Sequence, residues 1–204
     1  MVINWIPLLV ALFFGLIPPR CLIKGEVRYL TFEDMWTKAI RPMHGDHRRR
    51  RWWKLPLVWM DPFRGFVTAY YVLEAFPKPL RGSGIPPFRY LSAIAVTLLI
   101  CLWMQTVGRR ATGETISPTG FLAGMITIVL PPEVSFPVLV VGLATIVAVR
   151  EYAYGYYAAA LVGTAFGYLS MGANLKLIAP IALILLPVSV NWIRGTRLVV
   201  PVRC

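Results

Sequence analysis

The sequence predicts an all-α, polytopic integral membrane protein with six or seven membrane segments. Three observations carry that reading. First, 57% of the 204 residues are apolar and the mean hydropathy is +0.65, well above the roughly 45–50% apolar content of soluble domains. Second, the apolar residues fall into separate runs divided by short polar connectors. Third, the charge is segregated: of 21 Lys and Arg and 9 Asp and Glu, residues 18–89 hold 14 and 6. A hydrocarbon core cannot accept a net charge of +12, so the excess belongs to loops. The length excludes two large domains, and the composition excludes a disordered or disulfide-held secreted chain. Cys21, Cys101 and Cys204 show neither metal spacing nor even pairing and read as small hydrophobes or lone thiols.

The elements follow in order. Residues 3–17 (INWIPLLVALFFGLI) have no basic residue ahead of them and Pro18, Pro19 and Arg20 behind. A cleaved signal would need a positive start and small residues before the cut, so 1–19 is expected to be a retained N-terminal membrane anchor. Residues 20–54 form a basic loop. Residues 55–89 form an amphipathic or membrane-crossing helix and a connector: Asp61, Arg64 and Glu74 interrupt an apolar stretch over 55–76. There, Asp61–Pro62 reads as an N-cap and first helical position. Arg64, three residues on, is placed to form an intramembrane ion pair with Asp61. Residues 90–204 form the helical membrane core, with apolar runs at 90–108, 118–131, 136–149, 152–171 and 175–193. The 14-residue runs 118–131 and 136–149 would reach only about 21 Å of a hydrocarbon core about 30 Å thick. They either cross or dip in and return as a broken, re-entrant pair.

Sidedness follows from the basic residues. If 55–76 crosses, sixteen basic groups fall on the face that holds 20–54, and four (Lys78, Arg81, Arg89 and Lys176) on the other. If it does not, every short loop after residue 90 has the wrong sign. The crossing arrangement puts loop 20–54 and the C-terminus on the cytoplasmic side of a bacterial inner or intracytoplasmic membrane, with the N-terminus outside. Trp5, Trp52, Trp53, Tyr152, Tyr154 and Trp192 fall at run ends, where amphipathic rings favour the headgroup level. Gly155, Ala159, Gly163 and Gly167 recur every fourth residue and make a smooth stripe that lets helices approach closely in lipid. That stripe is expected to pack against a neighbour.

Catalytic constellations are missing: the chain has no nucleophile elbow, no zinc-protease signature and no phosphate-cradling Gly loop. No enzyme activity is expected. His44, Asp46 and His47 offer imidazole and carboxylate ligands, but no further His or Cys cluster completes a set, and no metal site is expected. Arg48, Arg49, Arg50 and Arg51 followed by Trp52, Trp53 and Lys54 fit a surface that docks on anionic lipid or an acidic partner, since each cation near an anionic leaflet contributes about 1 kcal/mol and indoles anchor at the interface. Nucleic acid, which also attracts basic runs, is disfavoured by the adjoining apolar helix.

The most informative stretch is 115–150. Two short apolar pieces meet at Pro131–Pro132, with Glu133 and Pro137 beyond. Broken membrane helices expose backbone groups that can bind ions or polar ligands, so Thr119, Gly120, Pro131, Pro132 and Glu133 are candidate ligand or ion contacts. A tight hairpin between two short spans is the alternative. A Thr-Gly pair (Thr119, Gly120), an apolar run, Leu130-Pro131-Pro132, Pro137, and a second run with Gly142, Ile146 and Val147 ending at Arg150 resemble the RnfD-like family of membrane subunits, shared by the Rnf electron-transport complex and the sodium-translocating NADH:quinone oxidoreductase. The resemblance covers about 90–171, including 154–166 (YGYYAAALVGTAF). Its flavin-attachment motif is absent, and Ala158, Ala159 and Ala160 replace polar positions. What the resemblance implies is a fold core and an electron-transfer membrane setting. It implies no covalent flavin and no other cofactor for this chain.

The expected function is therefore that of a non-catalytic scaffold or accessory subunit of a larger membrane complex, with electron transfer as the setting and other membrane subunits and anionic lipid as partners. Two alternatives stay open: a small-solute or ion transporter or channel using the 118–149 half-helices, and a redox subunit holding flavin or pigment without a covalent bond.

Overall fold

The computed structural model describes residues 3–18, 27–34, 56–77, 87–107, 114–172 and 174–203. The expected docking segment Arg48–Lys54, the His44, Asp46 and His47 group, Cys21 and Cys204 lie outside these. Among the described residues, seven helices of eleven residues or more dominate: α1 (Trp5–Leu16), α2 (Pro56–Ala75), α3 (Pro87–Thr106), α4 (Thr119–Val129), α5 (Pro132–Val149), α6 (Tyr152–Met171) and α7 (Leu175–Arg194). Three of them, over Phe88–Thr106, Pro132–Val149 and Lys176–Arg194, are long and apolar enough to cross a membrane unaided. The expectation of six or seven segments is met by fewer such spans for identifiable reasons. Helices α1 and α4 have 12 and 11 residues, about 16–18 Å of rise. Helix α2 carries Asp61, Arg64 and Glu74, and the apolar content of α6 is diluted by tyrosines, glycines and small polar residues.

Two local expectations change. The second apolar run of 115–150 is not short: Pro131 and Pro132 start α5 early, with Pro132 at the first helical position where its missing N–H costs nothing, and the helix runs 18 residues. It is a full-length helix and not half of a re-entrant pair. Asp61 is not an N-cap either, because α2 already begins at Pro56 and contains Pro62 in its interior. Its carboxylate is thereby left for a side-chain partner.

Consecutive helices run in opposite directions. At one end the Asn4 amide and its side chain donate to the carbonyls of Ala75 and Glu74, joining the start of α1 to the end of α2. Ser170 near the end of α6 meets Glu133 near the start of α5 at that end. At the other end lie the last turns of α1 and α3, the starts of α4 and α6, and all three strands. Strands β1 (Val27–Leu30), β2 (Glu114–Ile116) and β3 (Arg197–Arg203) form a small sheet in the order β1-β3-β2. The fold is therefore not purely α. Strand β2 pairs in parallel with residues 197–199 of β3, and β1 pairs antiparallel with residues 200–203. The two partners thus use successive halves of β3, and Pro201, which has no N–H to donate, falls in the half beyond the reach of β2. Gly195, in the left-handed conformation at φ 59°, ends α7 and releases the chain into the β-branched run of β3.

The core gathers Leu98 and Leu102 of α3, Phe121 and Met125 of α4, and Leu183 and Ile184 of α7, all essentially without solvent exposure. Outside it, large apolar side chains stand exposed around the helices: Ile6 at 79%, Phe136 at 71% and Leu169 at 82%. A water-facing surface does not carry apolar groups so densely. The spans and this surface together are those of a membrane-embedded protein. Several helical hydroxyls are satisfied within their own turns, Thr97 on Ala93 O, Thr145 on Val141 O and Thr164 on Ala160 O.

Glycine sets the closest approach. A Cβ on Gly65 would lie 1.8 Å from Phe121 O, and one on Gly124 only 1.9 Å from Pro62 O, so the backbones of α2 and α4 touch. Replacing either glycine by Ala must push the helices apart. We expect Gly65→Ala and Gly124→Ala each to cost about 3 kcal/mol, at the upper end of overpacking, read as a lowered thermal midpoint in mild detergent. Gly142→Ala, whose Cβ would meet Ala159 Cβ at 3.1 Å, should cost clearly less.

Candidate functional site

The helix ends beside the sheet enclose the densest polar arrangement among the described residues. It begins with an orphan: the last carbonyls of α1 have no N–H four residues on, and Pro18 and Pro19 cannot supply one. Side chains from two other helices take their place. The Arg64 guanidinium, 2% exposed, donates to Phe14 O at 3.1 Å and to Ile17 O. The Gln105 amide, 1% exposed at the end of α3, donates to Gly15 O and, at 3.2 Å, to Ile17 O. Arg64 also reaches Gln105 Oε1 at 3.5 Å and lies over the Phe121 ring, 5.6 Å from its centre. Asp61, one turn earlier on α2, accepts from Arg64 at 2.8 Å and closes the ion pair the spacing predicts. The cation is thus neutralised by a carboxylate and stands at the negative end of a helix dipole.

The cluster continues into α4. A Cβ on Gly120 would sit 3.1 Å from Asp61 Cβ, so the Thr119–Gly120 pair abuts the ion pair. Thr119, Ser117 and Tyr156 then form a ring of hydroxyls: Ser117 Oγ to Thr119 Oγ1 at 2.8 Å, Ser117 Oγ to Tyr156 Oη at 2.9 Å and Thr119 Oγ1 to Tyr156 Oη at 3.1 Å. The ring ties the start of α4 to the start of α6, and Thr115 and Thr196 share a further hydroxyl contact between β2 and the residue that precedes β3. Thr68 Oγ1, one turn beyond Arg64, is the buried side-chain polar atom with no hydrogen-bond partner among the described residues.

The structure separates the candidate contacts of the 115–150 stretch. Thr119 and Gly120 open α4 beside the sheet, whereas Pro131, Pro132 and Glu133 lie past its other end, an eleven-residue helix away. They do not converge on one site, and Glu133 faces Ser170 instead, at 3.5 Å. The small-residue stripe is likewise occupied: Gly155 packs on Ile146 and Gly142 of α5, and Gly163 and Gly167 on Ile181 and Leu177 of α7. With Ala159 facing Gly142, all four stripe positions are buried within this chain. The neighbour they meet is internal, so the stripe offers nothing to a partner subunit. Of the expected interfacial rings, Trp5, Tyr154 and Trp192 are exposed, but Tyr152 is buried edge-on against Phe32. Gln105 and Tyr156 are the polar residues that reading the sequence missed. Gln105 is the one amide in the apolar run 90–108, a signal that could have singled it out, whereas Tyr156 stands among Tyr152, Tyr154 and Tyr157 and carries no such signal.

No family model, curated protein or solved structure matches this chain. Within the site, Arg64, Gln105, Ser117, Thr119 and Tyr156 are directed at partners inside the protein. No group of three or more His, Cys, Asp or Glu side chains able to hold a metal occurs among the described residues. Chemically, the arrangement clamps four helix ends together and orders the sheet against them.

Removing Arg64 strips the cap from α1 and leaves Asp61 without its cation. Arg64→Leu should cost about 3–5 kcal/mol, the usual loss when one partner of a buried pair is removed. Tyr156→Phe should cost about 1 kcal/mol, because Ser117 and Thr119 keep their own bond. Thr68→Val should be neutral or stabilising, since it deletes a buried hydroxyl that gains nothing. Thermal or denaturant unfolding of the three variants in one detergent checks the order Arg64→Leu, Tyr156→Phe, Thr68→Val.

Proposed function

We propose that the chain is a non-catalytic subunit of a larger membrane assembly. The observation that carries this reading is the consumption of the buried polar groups: Arg64, Asp61, Gln105, Ser117, Thr119 and Tyr156 are directed at one another and at helix ends. Such a cluster holds helices in place and leaves no convergent set of free donors for a substrate. In this reading α1, α2, α4 and α6 cross the membrane in company with the three more apolar spans, each borrowing burial from its neighbours. The sheet end faces the cytoplasm, because the segments that follow α1, α3, α5 and α7 in sequence, together with Arg194 at the end of α7, carry sixteen of the 21 basic residues. The N-terminus lies outside. The basic segment Arg48–Lys54 serves as the contact for anionic lipid or an acidic partner subunit. Support for an electron-transfer setting comes from the resemblance of residues 90–171 to the membrane subunits of the Rnf complex and the sodium-translocating oxidoreductase. That resemblance brings no flavin and no enzyme activity to this chain.

Two experiments test the proposal. Extraction of native membranes in a mild detergent, followed by affinity isolation and mass spectrometry, should return this chain with stoichiometric membrane subunits. A monodisperse monomer with no companions would end the subunit reading, and solute flux by that monomer in proteoliposomes would put a transporter in its place. For orientation, in a Cys21→Ser, Cys101→Ser background, an impermeant maleimide should label Lys78→Cys in intact cells and Cys204 only after permeabilisation. The reverse pattern would invert the assigned topology.

A further inference from the structure

Helices α3 and α7 run side by side in the same direction, and a shallow apolar groove of about 280 Å³ opens between them, lined by Val96, Leu99, Ile100, Trp103 and Leu186. All five side chains are partly or largely exposed. The volume is just below the range of pockets that enclose small molecules, roughly 300–1,000 Å³. A compact polar solute would find neither enclosure nor a hydrogen-bond partner along this lining. A flexible hydrocarbon chain lying along the helices matches it.

The groove has a distinct upper end. Trp103 lies three residues before the end of the span Phe88–Thr106, and Arg194 is the last residue of the span Lys176–Arg194. Both therefore stand at the level where hydrocarbon gives way to headgroups, on the end that also carries the sheet. The Arg194 guanidinium lies 5.9 Å from the centre of the Trp103 ring, and this cation–π contact sets a positive charge beside the indole that lines the groove. Trp192 next to it is 82% exposed, the disposition of an interfacial indole. An apolar trough with a guanidinium at its end is complementary to one molecule that is apolar along its length and anionic at its head.

We propose that the α3–α7 groove is a specific seat for an anionic phospholipid, with one acyl chain along Val96, Leu99, Ile100 and Leu186 and the phosphate on Arg194. The cation–π contact with Trp103 restricts the guanidinium beforehand, so less side-chain freedom is lost on binding than for an arginine without such a contact. This seat is independent of the Arg48–Lys54 segment and of the subunit reading, since it uses neither.

Native mass spectrometry of the full-length protein, released from a neutral detergent with phosphatidylglycerol or with phosphatidylcholine of the same acyl chains, tests it. Phosphatidylglycerol adducts should survive activation that strips phosphatidylcholine. Arg194→Gln should weaken phosphatidylglycerol retention about fivefold, the value of one interfacial cation, while phosphatidylcholine retention stays unchanged. Arg194→Lys, which keeps the charge but not the planar two-pronged donor set, should fall between. Ile100→Trp, which fills the trough from an exposed position, should reduce adducts of both lipids and leaves the test intact should the Arg194 variants fold poorly. Equal retention of the two lipids by the native protein would overturn the proposal, as would unchanged phosphatidylglycerol retention in folded Arg194→Gln. Displacement of phosphatidylglycerol by millimolar inorganic phosphate would also overturn it, because the seat would then recognise a free anion and not a lipid.

Discussion

The contacts of Arg64 with the end of α1 constrain the rest of this structure. A helix that stops inside an apolar assembly leaves carbonyls facing away from water, and each unsatisfied group there costs several kcal/mol. Helix α1 stops early because two prolines follow it, and its last carbonyls accept hydrogen bonds from a guanidinium of α2 and an amide of α3. To reach them, Arg64 must be buried to 2% exposure, and burial of that charge requires Asp61 one turn away. Asp61 in turn abuts Gly120, which fixes where α4 begins. One unsatisfied helix end thus sets the relative positions of four helices.

Close backbone approach is the second constraint, and it depends on the first. Gly65 follows Arg64 directly, about 100° further round α2, and lies against Phe121 O, while Gly124 meets Pro62. The crossing places the Phe121 ring under the guanidinium, so the polar cap and the apolar crossing share one residue. The pairing of α5 with α6 and of α6 with α7 follows the same logic with Gly142, Gly155, Gly163 and Gly167. In lipid, where apolar burial gives little net drive between helices, such packing and interhelical hydrogen bonds are the available sources of association. The hydroxyl ring of Ser117, Thr119 and Tyr156 supplies the second of these between the two halves of the bundle.

Within one helix turn, much was legible in the residues. The Asp61–Arg64 spacing implied a pair because residues three apart share a helix face, and the pair is there. Hydropathy marked all the longer apolar helices because length and composition are properties of a segment alone. The strands were not legible: β1 lies in a basic stretch, β2 is three residues long, and neither has a period long enough to register. Their existence depends on β3, which brings hydrogen-bonding partners from the distant far end of the chain. The extent of α5 is not legible because Pro131–Pro132 reads locally as a break, although proline at the first helical position starts a helix.

The sequence by itself determined that this chain partitions into hydrocarbon, that most of its positive charge falls between the apolar runs, and which residues are small enough to lie at helix crossings. Those properties depend on composition and on neighbours a few positions away. Only the tertiary structure decided what each small or polar residue faces. The stripe on α6 could have met a partner subunit and instead meets α5 and α7. Thr119 and Glu133 could have shared a site and instead lie at opposite ends of α4. Gln105 could have lined a passage and instead caps α1. A helix exposes all its faces equally until other helices arrive, and the order of their arrival around it is a long-range property that no local spacing encodes.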